Sequence, residues 1–250
     1  MTAWTLLSAI IAPAGFWLGY LYYKDRVKPE PLTMIGLAYL LGIGSGYLGL
    51  KAYEVAEWFG ASADPFALAE SHKVSFLFYC LAIIGVLEEL AKFLPFYFVC
   101  LKFKAFDEAI DGFVYASAVA LGFASYENLL LIGAIKGPEL YGRAFASPLT
   151  HTIFASVWGY SCAWARINGK PLFGPALLGF LVAAVFHGLY DFLVLAAHPL
   201  LRPIPATTIL LAWLWRIRAM ERCNKATAAT LIPGRSSPIL NNPMEANRHE

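Results

Sequence analysis

The sequence predicts an all-α fold, a polytopic transmembrane bundle of about seven helices. Composition, hydropathy and loop charge each point to it. Hydrophobic residues make up 59% of the 250 and charged residues only 14%, against roughly 25% charged in a soluble domain. Several apolar runs reach or approach the roughly 20 residues that cross a bilayer. Basic residues gather in alternate connecting segments, as they do in inserted proteins. A net charge of +2 gives no basis for nucleic-acid binding.

The runs are 4–23, 32–50, 74–101, 113–135, 144–165, 172–197 and 200–215. The first has no positive n-region before it and reads as a retained span, not a cleaved signal. The third contains Glu88, Glu89 and Lys92, and the last begins in a stretch broken by Pro199, Pro203 and Pro205. With the N-terminus outside, the inner segments carry Lys24, Arg26, Lys28, Lys102, Lys104, Arg166, Lys170, Arg216, Arg218, Arg222 and Lys225. That excess puts the C-terminus in the cytoplasm. Residues 51–73 read as an outer loop with an amphipathic look. Residues 1–222 form one transmembrane domain, and 223–250, rich in Asn, Ser, Pro and Thr, read as a disordered cytoplasmic tail. Gly15 with Gly19 and Gly42 with Gly46 make two GxxxG pairs, which suit close helix packing. Cys80, Cys100, Cys162 and Cys223 lack CxxC spacing and read as free thiols.

Seven polar side chains interrupt these spans: Glu88, Glu89, Lys92, Glu127, His151, His187 and Asp191. A charge at mid-bilayer costs roughly 2.5–3.5 kcal/mol, so such groups pair, face water and mark function. Counted along their helices, Glu127, His151, His187 and Glu88 lie roughly 10–20 Å from the outer ends. This common depth predicts one shared, water-accessible cavity. Glu88 and Lys92 are i,i+4 and can pair, while Glu89 points about 100° away. His187 and Asp191 are also i,i+4, so the carboxylate can orient the ring. Glu127 shares a face with Phe123, and Asn128 can donate to a neighbouring helix. Two hydrolytic schemes follow. In one, Glu88 activates a water and His187 helps hold the oxyanion. In the other, His151, His187 and a carboxylate such as Glu88 bind Zn2+. A proton relay or transporter would use the same groups, but no inverted repeat is visible.

Three of these clusters fall in motifs. Glu88-Glu89-Leu90-Ala91-Lys92 reads EExxK, Phe123 through Glu127 reads FxxxE, and His187 through Asp191 reads HxxxD. With Asp25, Pro29-Glu30-Pro31, Asp111-Gly112 and the stretch from Arg143 to His151, they resemble the PrsW family of intramembrane proteases. That family is in turn similar to CAAX-processing and bacteriocin-processing proteases and, remotely, to the Aph-1 subunit of γ-secretase, which leaves a non-catalytic scaffold as an alternative. The resemblance implies a multi-pass protein of the bacterial inner membrane. It implies hydrolysis of a peptide bond in a membrane-anchored protein, such as an anti-sigma factor, with the lipid bilayer as the second partner. It makes Glu88 the base, Glu89 its partner carboxylate and His187 an oxyanion or metal residue, with Glu127 and Asp191 completing the catalytic set and Lys92, His151 and Asn128 supporting it.

Overall fold

The computed structural model describes residues 3–61, 65–132, 137–196, 199–201 and 203–231, and all regular structure among them is helical. Five helices are long and apolar enough to cross a membrane: α1 (Trp4–Lys24), α2 (Leu32–Ala61), α4 (Lys73–Lys102), α5 (Asp111–Leu131) and α7, whose apolar part is Phe173–Leu195. Between α2 and α4 lies the short α3 (Pro65–Ser71). Two further helices, α6 (Pro138–Ile167) and α8 (Pro203–Thr230), run 30 and 28 residues. Both match positions where the sequence predicts spans, yet fall short in apolarity. For α6 the reason is burial: Thr150, His151, Thr152 and Ser156 face protein, not lipid.

Two boundaries differ from the sequence reading. The segment after Leu50 is not a loop. α2 runs on as α-helix to Ala56 and through a π-helical turn, Glu57–Ala61, which breaks at Gly60 with φ 82°. A Lys51–Glu54 ion pair at 2.8 Å supports this extension. It leaves Trp58 and Phe59 81% and 74% exposed, where amphipathic rings suit a headgroup layer. The tail also starts later, because α8 stays helical to Thr230. Cys223 and Thr227 are buried there, Asn224 donates to the Lys24 carbonyl at 2.7 Å, and Thr227 donates to Glu108 at 2.9 Å. The rest of the segment called disordered, 232–250, lies outside the described residues.

α5 is the central rod, with every residue from Asp111 to Ser125 buried. Glycine sets how closely its neighbours approach. A Cβ on Gly42 of α2 would lie 2.0 Å from the Val119 carbonyl oxygen, and one on Gly46 would strike Tyr126. This GxxxG pair therefore packs the bundle. A Cβ on Gly15 or Gly19 would meet nothing within 4 Å beyond its own helix backbone. α4 and α7 cross as tightly: a Cβ on Gly85 would lie 2.2 Å from the Ala184 oxygen, and one on Gly188 the same distance from the Cys80 oxygen. α6 ends in a Schellman motif, with Gly169 at φ 61° and Lys170 N–H donating to the Ala165 oxygen at 2.8 Å. All four cysteines are free and buried.

At one end of the bundle the α1–α2 loop is clasped to the start of α5. Asp25 accepts from the Glu30 N–H at 2.8 Å, Tyr115 donates to Glu30, and Lys28 pairs with Asp107 at 2.6 Å. Asp111 accepts from the N–H groups of Asp107 and Glu108. Burial pushes the Asp25 carboxyl up to about 7, against the pull of the Glu30 N–H and with help from the Glu30 and Glu108 charges. Glu30 and Glu108 are raised for the same first reason. Between the ordinary carboxylate range and about 7, the folded protein keeps a proton that the unfolded chain has released, so stability falls as pH rises through this window. Thermal unfolding in detergent is expected to show a higher midpoint at pH 5 than at pH 8, and Asp25→Asn to flatten that slope. An unchanged slope in the variant would assign the dependence elsewhere.

Candidate active site

The Gly85–Gly188 crossing brings the two acidic residues of α4 against the histidine of α7. A π-helical turn, Cys80–Ile84, immediately precedes this segment, and such bulges recur at functional sites. Glu88 and Glu89 are adjacent, so they point to different neighbours. Glu88 turns towards α2, where the Tyr53 hydroxyl donates to its Oε1 at 3.0 Å. Its Oε2 is buried with no hydrogen-bond partner and lies 3.5 Å from His187 Nε2. Glu89, fully buried, turns towards α6 and α7. Its Oε1 accepts from Lys92 Nζ at 2.7 Å and faces His187 Nδ1 at 2.8 Å, and its Oε2 accepts from the Trp158 indole N–H at 2.8 Å.

α5 and α6 supply the second half. Glu127 accepts from Arg143 Nη2 at 2.5 Å and from Ser147 Oγ at 3.3 Å, and faces His151 Nε2 at 2.9 Å. Lys92 Nζ reaches His151 Nδ1 at 3.0 Å and lies 4.6 Å from the centre of the Phe123 ring, which explains the aromatic residue of the FxxxE motif. An ammonium has only donors, so Nδ1 of His151 accepts and its Nε2–H donates to Glu127. In His187, Nδ1–H donates to Glu89, and Nε2 faces Glu88 and Asp191. The two imidazoles stand edge to face with centroids 5.2 Å apart.

All seven polar residues singled out from the sequence therefore gather in one cluster, with two rearrangements of pairing. Lys92 bonds Glu89 at i,i+3, not Glu88 at i,i+4, because Glu89 is the acid on the face shared with Trp158 and His187. The close partner of His187 is Glu89; Asp191 Oδ2 stands off at 3.5 Å. Asn128 bonds away from the cluster, its amide 3.5 Å from the Ala9 carbonyl on α1. Tyr53, Trp158, Arg143 and Ser147 belong to the site although spacing did not single them out. A tyrosine or tryptophan in an apolar helix carries no signal until the helix across from it is known.

Four carboxyl groups (Glu88, Glu89, Glu127 and Asp191) face two permanent cations, Lys92 and Arg143. With all four ionised and both imidazoles neutral, two negative charges would be in excess, and buried charge must be compensated. Glu88, His151 and His187 offer donor atoms that all lie within 4.8 Å of one another. Together with the partnerless Glu88 oxygen, this nitrogen-and-carboxylate set fits a divalent zinc-type ion. The side chains of Glu127, Asp191 and Arg143 are 25%, 22% and 35% exposed, while Glu89 and Lys92 are sealed. The site thus opens at the end of the bundle where α2, α5 and α7 finish. Two grooves, of about 400 and 570 Å³, run between α6, α7 and α8; Phe154 lines one and Tyr190 the other. Phe154 stacks on His187 at 5.0 Å.

The chain is similar to proteins already known. The family described as "PrsW family intramembrane metalloprotease" matches residues 30–216, which include every residue of the cluster. "Protease PrsW" of Geobacillus kaustophilus is 32% identical over 192 residues, covering 77% of this chain and 80% of that protein. Those of Oceanobacillus iheyensis and Bacillus subtilis are each 30% identical, covering 89% and 76% of this chain and 98% and 83% of their own length. No solved structure matches. The chain is an integral membrane peptidase and belongs to the PrsW family of intramembrane proteases.

Proposed function

We propose that the protein hydrolyses a peptide bond in a membrane-anchored protein, an anti-sigma factor being the fitting class, with Glu88 activating the attacking water. One observation carries this reading. The Oε2 of Glu88 is buried without a partner and shares its space with a histidine nitrogen whose ring is already held from behind by Glu89. Glu88 takes one proton of the water as its oxygen adds to the scissile carbonyl. The C–N bond then breaks, the leaving nitrogen takes that proton, and the carboxylate returns to its starting state. Glu89 fixes the His187 tautomer, and Lys92 keeps Glu89 ionised and in place. Glu127, Arg143 and Ser147 hold His151 at the open edge.

A zinc-type ion would be held by Glu88, His187 and His151, and zinc so bound supplies a water of lowered pKa and a Lewis acid for the carbonyl. A metal-free reading has its own support, since both nitrogens of His151 are engaged and ligation requires Lys92 to release Nδ1. Elemental analysis of the purified protein, with cleavage of a single-span substrate in proteoliposomes before and after chelation, tests both. Stoichiometric zinc, with activity lost to chelator and restored by zinc, would make Glu88 a ligand of the ion in place of the base. Full activity in a metal-free preparation leaves the carboxylate-only scheme. Absence of cleavage with substrates of every class tried removes the protease assignment of this site.

A further inference from the structure

We infer that Tyr53 is a positioning residue for Glu88, fixing which of its two carboxylate oxygens does chemistry. This rests on the reading of Glu88 given above. Tyr53 lies on α2, outside all three acidic and histidine motifs, and it meets a different oxygen of Glu88 from the one near His187. Its hydroxyl donates to Oε1 at 3.0 Å, and no other hydrogen bond to the Glu88 side chain is present among the described residues. The remaining oxygen, Oε2, points into the space it shares with His187 Nε2, 3.5 Å away. A carboxylate can rotate about its last torsion, which is broad and roughly two-fold. With one oxygen pinned, that rotation is suppressed and the reactive lone pairs stay on the histidine side. The tyrosine ring is itself fixed, packing beside the cluster of Phe76, Cys80 and Ile84 together with Phe192.

Tyr53→Phe keeps the ring and its packing and removes one oxygen atom. Hydrogen-bond partners of this kind, one shell behind a reactive group or ligand, are typically worth 10–100-fold in activity or metal affinity. In proteoliposomes Tyr53→Phe is expected to lower kcat for a single-span substrate by about that factor with KM unchanged. Zn2+ affinity, read by chelator competition on the same purified protein, is expected to fall in parallel if the active protein proves to be a zinc enzyme. A variant with wild-type kcat, or one whose loss lies wholly in KM, overturns the inference. Wild-type protein that cleaves nothing overturns the protease reading instead. Should Tyr53→Phe fail to fold, 3-fluorotyrosine placed at position 53 keeps size and hydroxyl but makes the hydroxyl more acidic. A displaced pH–rate profile in that protein supports the inference, and a superimposable one defeats it.

Discussion

Glu88→Gln is expected to abolish proteolysis without disturbing the bundle. Glutamine keeps the shape of the side chain and an amide oxygen to accept from Tyr53, so the contact at 3.0 Å survives. What is lost is a group that can take a proton from water, a change typically worth about 10²–10⁴-fold in rate. The measurement is turnover of a single-span substrate in proteoliposomes, with thermal unfolding of the same preparation as control. Unchanged KM, an unchanged unfolding midpoint and the rate loss together identify a residue that acts in the transition state. A variant retaining more than a tenth of the wild-type rate would show that another group takes the proton, and Asp191, 3.5 Å from the same His187 nitrogen, would be next to test.

Lys92→Met is expected to be the most destabilising single substitution in the site. The ammonium is fully buried, bonded to Glu89 at 2.7 Å and His151 at 3.0 Å beneath the Phe123 ring. Methionine fills similar space but leaves Glu89 as a buried carboxylate supported only by Trp158 and His187. Removing one partner of a buried ion pair costs about 3–5 kcal/mol. The denaturation midpoint in mild detergent should fall accordingly. The double variant Lys92→Met with Glu89→Gln should recover much of the loss, since no unpaired charge remains. If the single variant is as stable as wild type, Glu89 must take up a proton in its place, and the ion pair within α4 is not what stabilises the site.

Much of this arrangement is legible in the chain itself. Long apolar runs gave the helices, and the intolerance of lipid for charge singled out seven residues that do converge. What spacing alone does not decide is pairing. Positions i+3 and i+4 lie on the same helix face, so Lys92 could have served Glu88 or Glu89. The choice was made by Trp158 and His187, residues 69 and 98 positions away from Glu89. Tyr53 was hidden for the same reason. Helix ends extend beyond the apolar runs where polar residues continue a helix past the apolar core, as Lys51 and Glu54 do in α2 and as Asn224 and Thr227 do in α8 by bonding the Lys24 carbonyl and Glu108.

The contacts from Arg143 through Glu127, His151, Lys92 and Glu89 to His187 form one unbroken polar thread across four helices. Each member of such a thread is held by the next, so a change at one is felt along the whole. Knockouts at Glu127 and at His187, though drawn from different motifs, should therefore report overlapping losses whose logarithms do not sum. Three short signatures written far apart in the chain become, once folded, a single polar network.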